Sequence, residues 1–227
     1  MRRALLTAAS FVLASFASPA FAQVVDGMNC NGPECPFWNL GDDVNAVVEA
    51  TGPCAAEVDP ELERRFRAGQ KLTPDEFVRF VAPMAQQSER ETGVPASVTI
   101  AQAALETGWG KSARLVANNL FGIKGRGSNG SVKLWTREYI RGRWVKVRAN
   151  FAAYGDFGDS VEAHGRLISE NRIYTRAMAV KDQGPEAFAR ALQRCGYATD
   201  PNYAKKLMQI INKRDLTEYD ASRECPA

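Results

Sequence analysis

The sequence predicts a mainly helical α+β domain, in which a helical lobe and a small β-hairpin lobe flank a cleft. Three observations carry that prediction. Apolar residues recur at helical spacing in segments on both sides of residues 125–154. Inside that window the period drops to two, on either side of a glycine turn. No internal repeat or low-complexity stretch appears, and about 150 residues suffice for one compact domain.

Taken in order, Thr73-Pro74-Asp75-Glu76 opens the domain, with Thr73 as helix N-cap, proline at the first helical position and acids in the first turn. Phe77, Phe80, Val81 and Met84 follow at helical spacing, and Pro83 is expected to perturb the run. Gly93-Val94-Pro95 breaks it and launches a second helix, with a helix-like run from Val98 to Leu105 and an end near Glu106. Val132, Leu134, Thr136, Glu138 and Ile140 then alternate with Lys133, Trp135, Arg137 and Tyr139. After Arg141-Gly142 come Val145, Val147, Ala149 and Phe151 against Lys146, Arg148 and Asn150, which completes a hairpin. Asp159-Ser160 reads as the cap of a helix from Val161 to Ser169, and two more helices are expected at Pro185 to Arg194 and Pro201 to Lys213.

The ends of the chain concern export. Met1-Arg2-Arg3, the uncharged apolar run Ala4 to Phe16 and the small residues of Ala20-Phe21-Ala22 make residues 1–22 a secretory signal peptide, cleaved after Ala22. The apolar run falls short of the roughly 20 residues a membrane-spanning helix needs. No second stretch approaches that length, so no membrane association is expected after cleavage. Residues 23–72 form a Cys- and Pro-containing lead or linker, residues 73–220 the folded domain and residues 221–227 a tail.

Losing Arg2 and Arg3 leaves 27 basic against 26 acidic residues, from 29 and 26 in the full chain. A net charge near +1 is not that of a nucleic-acid binder. Five cysteines in an exported chain imply at least one disulfide. A bridge between Cys195 and Cys225 would tie the tail onto the last helices; Cys30 with Cys35 or Cys54 stays open, and one cysteine is left over. With one histidine in the chain, no metal site or cofactor is expected. That histidine, His164, shares helical spacing with Val161 and Ile168 and reads as a satisfied, partly buried residue. Neither a nucleophile elbow nor a phosphate-binding glycine motif is present.

The chemistry concentrates in Leu105-Glu106-Thr107-Gly108-Trp109-Gly110-Lys111-Ser112 and in Asn118-Asn119-Leu120-Phe121-Gly122-Ile123-Lys124-Gly125. A carboxyl at a helix end, an aromatic and a tight glycine turn are parts of a site that protonates a bond in a bulky substrate. Such an acid must keep its proton near neutral pH, and burial against apolar or aromatic groups does this. By residue type alone, Glu106 would be an ordinary solvent-facing helix glutamate.

Together with Gly196-Tyr197-Ala198-Thr199-Asp200-Pro201-Asn202-Tyr203, these blocks resemble the core of glycoside hydrolase family 73. That family comprises N-acetylglucosaminidases that cut bacterial peptidoglycan, among them the hydrolase domain of flagellar rod-assembly muramidases. The resemblance runs from about Thr73 to Tyr219. It implies a lysozyme-like fold and cleavage of the β-1,4 bond between N-acetylglucosamine and N-acetylmuramic acid, with Glu106 as general acid. Glu138 is implied as second carboxylate, either a base activating water or a stabiliser of positive charge. It interrupts an otherwise apolar or neutral strand face, and a cleft-facing charge needs a reason; a solvated charge or pairing with Arg137 or Arg141 is the plainer reading. Inverting enzymes hold the two carboxyls roughly 6.5–9.5 Å apart and retaining ones about 5–5.5 Å, while a substrate-assisted route would leave Glu138 a supporting part.

Tyr197 is the cleft tyrosine by resemblance, with Tyr203 either lining the site or packing inside the last helix. Trp109, Asn118, Asn119 and Phe121 are the remaining candidates for the substrate site. Trp109 is better suited to supporting Glu106 than to touching sugar, and the two asparagines to fixing the loop. Trp135, Tyr139 and Trp144 are further aromatics able to stack on pyranose rings, but Trp135 and Tyr139 share the hairpin face opposite Glu138. Two rivals remain: a lytic transglycosylase using Glu106 alone, and a non-catalytic wall-binding or assembly factor. The lead is too short and too different to be the rod-binding domain that flagellar relatives often carry. The expected partner is the peptidoglycan glycan strand, with an envelope-assembly protein as a possible second. The expected location is the periplasm or the exterior, and the oligomeric state is open.

Overall fold

The computed structural model describes residues 57–111, 113–140, 143–198 and 200–220; the side chains of residues 113, 114, 137–140 and 144 lie outside that description. Helix α1 spans Pro60–Arg67, with the Asp59 carboxylate accepting from the Glu61 and Leu62 amides and proline in the first turn. Its Leu62 and Phe66, four residues apart, are buried in the same core as the helices that follow. This stretch falls within the 23–72 lead of the sequence reading, where only one apolar pair in a charged segment signals a helix.

Helix α2, Pro74–Thr92, begins with a complete capping box, Thr73 Oγ1 accepting from the Glu76 amide and the Glu76 carboxylate from the Thr73 amide. It runs through Pro83 to Gly93. The carbonyl that Pro83 cannot bond belongs to Arg79, an exposed residue, while buried Phe80, Val81, Ala82 and Ala85 hold both sides of the interruption in the core. Helix α3, Ala96–Thr107, has no side-chain cap of its own at Pro95. Two distant carboxylates take its free amides: Glu89 accepts from Ala96, and Asp220 from both the amide and the hydroxyl of Ser97 at 2.6 and 2.7 Å.

Past α3 the backbone turns through three consecutive left-handed residues, Gly108, Trp109 and Gly110, at φ of 60°, 63° and 80°. A Cβ at Gly110 would lie 2.3 Å from the Phe66 ring. After a 3-10 turn at Ala113–Ala117, strands β1 (Ser131–Ile140) and β2 (Arg143–Ala152) pair antiparallel, with Ile140 opposite Arg143. Thr136 and Phe151 are buried on one face; Trp135 is 61% exposed on the other, with Lys146 Nζ 4.9 Å and Arg148 Cζ 5.8 Å from its ring centroid.

Helix α4 spans Phe157–Glu170 and is capped by Asp156, whose carboxylate accepts from the Asp159 amide. The cap expected at Asp159-Ser160 is corrected by one turn. Asp159 instead accepts from Ser128 Oγ and the Gly155 amide, and Ser160 Oγ accepts from the Leu120 amide, so both side chains serve the neighbouring loops. Gly165 lets α4 approach α2, since a Cβ there would sit 2.3 Å from Ser88 Oγ. Short α5 (Thr175–Met178), α6 (Pro185–Arg194) and α7 (Tyr203–Lys213) follow, then a 3-10 turn at Leu216–Tyr219. Helix α7 starts two residues later than expected, because the Asp200 carboxylate accepts from the Asn202 amide and holds residues 200–202 in a turn.

The helices pack around α3, and Phe66, Phe77, Phe80 and Phe157 form an aromatic cluster with ring centroids 4.9–6.0 Å apart between α1, α2 and α4. The architecture is a mainly helical, lysozyme-like body carrying one hairpin, as the sequence predicts.

Substituting Gly110 by alanine is expected to cost at least ~2 kcal/mol, through left-handed strain and displacement of Phe66, and to lower Tm by roughly 4–8 °C. Unchanged thermal unfolding would refute that account of the turn. Glu76 is held at about 2, first by its hydrogen bond from Arg65 and then by the Thr73 amide. A carboxyl lowered in the fold contributes stability above its ordinary value and loses it as pH falls. Glu76→Gln should therefore remove part of the Tm decline between pH 4.5 and 2; parallel curves for the two proteins would count against it.

Candidate active site

Glu106 lies half-buried in the last turn of α3. The left-handed turn that follows carries the chain back over the core and sets Trp109 edge-on to Phe77, at 5.9 Å, with the Arg214 guanidinium 5.7 Å from its ring centroid. Trp109 thus extends the aromatic cluster that supports the end of α3. Thr107 Oγ1 closes the turn, donating to the Ala103 carbonyl and accepting from the Gly110 amide.

Tyr197 is positioned by the end of α6. The Gly196 amide bonds to the Gln193 carbonyl and the Tyr197 amide to the Leu192 carbonyl, with Gly196 left-handed at φ 82°. This is a Schellman ending, which throws the next residue back across the helix. Gln193 then ties down the following loop, donating to the Pro201 carbonyl and accepting from the Ala204 amide, both at 2.9 Å. Tyr203 at the head of α7 consequently stacks on Tyr197, with centroids 5.6 Å apart and planes at 30°. Tyr174, from the turn after α4, packs against Tyr197 at 5.8 Å.

Gln102 donates to the Tyr203 hydroxyl at 2.8 Å. The hydroxyl of Tyr197 meets His164 Nε2 at 3.1 Å, and the His164 ring stacks on Phe121 at 3.8 Å and 12°. The histidine is fully buried, where the sequence reading expects partial burial.

The electrostatics follow from burial. Tyr197 and Tyr203 are held well above the usual phenol range, chiefly by burial. The neighbouring Tyr203 and then the Glu106 carboxylate add to the effect on Tyr197, and Glu106 is the next cause for Tyr203. Tyr174 is pushed up to about 12 by burial and His164 down to about 3 by the same cause. At neutral pH the phenols of Tyr197 and Tyr203 are therefore protonated, both within reach of the Glu106 charge, and the imidazole that meets Tyr197 is neutral.

Asn118 and Asn119 hold the second motif. Asn118, at φ 53°, donates to the carbonyls of Tyr154 and Gly155. Asn119 is completely buried; it donates to the carbonyls of Ile123 and Ala152 and accepts from the Ile123 amide. Both amides are engaged with backbone, which pins the loop between β2 and α4 and fixes Phe121 against His164.

Glu138 is placed in β1 with its Cα opposite Val145; its side chain lies outside the described residues, as do those of Tyr139 and Trp144. Cys195 is half-buried at the end of α6, and Cys225, Cys30, Cys35 and Cys54 lie outside the described residues. The structure brings together Glu106, Tyr197 and Tyr203, and adds Gln102, Tyr174 and His164, which sequence reasoning did not place in the site. Gln102 carried a signal, since it precedes Glu106 by one helical turn on the same face. The other two did not, because their partners are far away in the chain.

Residues 82–216 match the glucosaminidase family, described as mannosyl-glycoprotein endo-β-N-acetylglucosaminidase. The chain is 42% identical over 154 residues to the peptidoglycan hydrolase FlgJ of Pseudomonas aeruginosa, covering 65% of this chain and 38% of that protein. It is 40% identical over 149 residues to the exo-glucosaminidase LytG of Bacillus subtilis, covering 63% and 52%. The chain thus spans about half or less of the length of these relatives. Among solved structures, the catalytic domain of the autolysin Auto of Listeria monocytogenes aligns with a TM-score of 0.60 at 31% identity, over 72% of this chain and 99% of that one. The chain belongs to the glucosaminidase family, glycoside hydrolase family 73.

Proposed function

We propose that the domain hydrolyses the β-1,4 bond between N-acetylglucosamine and N-acetylmuramic acid in peptidoglycan. The observation that carries this reading is the meeting of Glu106, at the end of a buried helix, with the protonated phenols of Tyr197 and Tyr203. In the mechanism, Glu106 protonates the leaving oxygen and so relieves the charge that develops as the glycosidic bond breaks. Tyr197 donates a hydrogen bond to the acetamido oxygen or orients water. Glu138, reached from the hairpin, serves as base for water or stabilises positive charge at the sugar carbon. Trp109, Asn118, Asn119 and Phe121 hold this arrangement in place and need not touch sugar.

The names of the relatives support the substrate, since one is a peptidoglycan hydrolase and another a glucosaminidase. Export to the periplasm or exterior through residues 1–22, and a disulfide between Cys195 and Cys225, belong to the same reading. Partnership with an envelope-assembly machine rests only on the likeness to FlgJ.

The test is mass spectrometry of muropeptides released from purified peptidoglycan, with and without borohydride reduction. Reducing-end N-acetylglucosamine is the expected product, and anhydro-muramic ends would replace hydrolysis by a transglycosylase reaction. Glu106→Gln should lower the release rate by about 10²–10⁴-fold, the range general acids contribute, with the fold intact by circular dichroism. Retention of near-native activity would remove Glu106 from its role. Glu138→Gln should cost about 10²-fold in kcat if it serves as base or stabiliser; a change within twofold would leave Glu106 as the sole essential acid.

A further inference from the structure

His164 meets the hydroxyl of Tyr197, and the mechanism above gives it no task. It is the only histidine in the chain, completely buried and clamped between two contacts. One face stacks on Phe121, which the Asn119 bonds hold in place. One ring nitrogen, Nε2, meets the Tyr197 hydroxyl at 3.1 Å. The other, Nδ1, has no hydrogen-bond partner among the described residues.

Burial keeps the ring neutral down to about pH 3, so it carries one proton, on either Nδ1 or Nε2. A proton on Nδ1 would leave a buried N–H with no acceptor, the rarer and costlier arrangement. A proton on Nε2 leaves only a lone pair unmatched and makes a full hydrogen bond to Tyr197. In that bond the imidazole donates and the phenol oxygen accepts. The phenol's own hydrogen is then excluded from the histidine side and is left to point elsewhere.

We propose that His164 is a positioning residue: its Nε2–H donates to Tyr197 and turns the Tyr197 hydroxyl hydrogen toward the Glu106 side of the cleft, where it donates to substrate. This rests on the assignment of Tyr197 to the active site made above. A hydroxyl whose acceptor lone pair is already occupied becomes a better donor, because hydrogen bonds in a chain polarise one another. Tyr203 is set in the same way from the other side, by the Gln102 amide donating to its hydroxyl. The two N–H donors, His164 Nε2 and the Gln102 amide, thus direct the hydroxyl hydrogens of Tyr197 and Tyr203 away from themselves.

Because the chain holds a single histidine, an untagged, histidine-labelled sample gives one imidazole in a nitrogen-15 correlation spectrum, assigned without further work. The proposal expects a protonated-type shift at Nε2 and an unprotonated-type shift at Nδ1 at neutral pH; the reverse pattern overturns it. In kinetics on peptidoglycan fragments, His164→Phe keeps the stacked ring and should lower kcat about tenfold, or ~1.4 kcal/mol, with little change in KM. His164→Gln, which restores an amide donor near the Nε2 position, should recover most of that loss. In a Tyr197→Phe background His164→Phe should have no further effect, since its route runs through the hydroxyl.

Multiplicative losses in the double variant, or equal loss in His164→Gln and His164→Phe at matched Tm, would overturn the proposal while leaving Tyr197 in place. Full activity of Tyr197→Phe would instead remove Tyr197 from the site, a separate failure. Should His164→Phe not fold, the nitrogen shifts of the unaltered protein still decide the tautomer.

Discussion

Everything in this domain depends on the burial of α3 on nearly every side. Residues from Ala96 to Ala104 are all buried, most of them completely. A helix with no solvent face is uncommon in a domain of this size, and it carries a cost at its start, where free amides need partners. The fold meets that cost from a distance, with the carboxylates of Glu89 and Asp220. In return, the end of α3 cannot rotate or slide, because every face is wedged by a neighbour. The backbone of Glu106 thus emerges from the core at a point fixed by the packing of the whole helix. The aromatic cluster of Phe66, Phe77, Phe80 and Phe157, extended by Trp109, closes that end.

The second half of the site is assembled on the same helix by polar contacts made inside the core. Gln102 reaches Tyr203 across 101 residues of sequence, and His164 reaches Tyr197 across 33. Buried hydroxyls without partners would each cost about 1–3 kcal/mol, so these bonds specify which side of each phenol faces inward. Loop positions matter as much. The Schellman ending of α6 and the Gln193 clamp decide where Tyr197 and Tyr203 sit, and the Asn119 bonds decide where Phe121 backs the histidine. Backbone hydrogen bonds made by side chains thus place groups on loops about as firmly as those on the helix.

Several of these features were legible in the sequence because their causes are local. The N-cap at Thr73, the glycine-flanked Trp109, the hairpin and α6 all arise from residues within a few positions of one another. Glu106, Tyr197 and Tyr203 were singled out through motif resemblance, and in the structure Tyr203 stacks on Tyr197 while the Glu106 charge acts on both phenols. The start of α4 was misread by one turn, since Asp156 and Asp159 are both good caps and only the loop contact with Ser128 shows which one the helix uses. Helix α1 was missed, because two apolar residues among charges give almost no periodicity until Phe66 is seen to complete an aromatic cluster.

By itself the sequence determined the helical class, the position of the hairpin and the presence of a carboxyl, Glu106, at a helix end. Each depends on spacing and chemical type along a short stretch of chain. The tertiary structure alone decided that Tyr174, Tyr203 and His164 pack on Tyr197 and that Gln102 of α3 bonds the Tyr203 hydroxyl. It also decided that His164 is fully buried with one nitrogen on a phenol. Such contacts join residues tens of positions apart, and no local pattern encodes them. They arise when packing removes water and each buried polar group must take the nearest partner that the fold supplies.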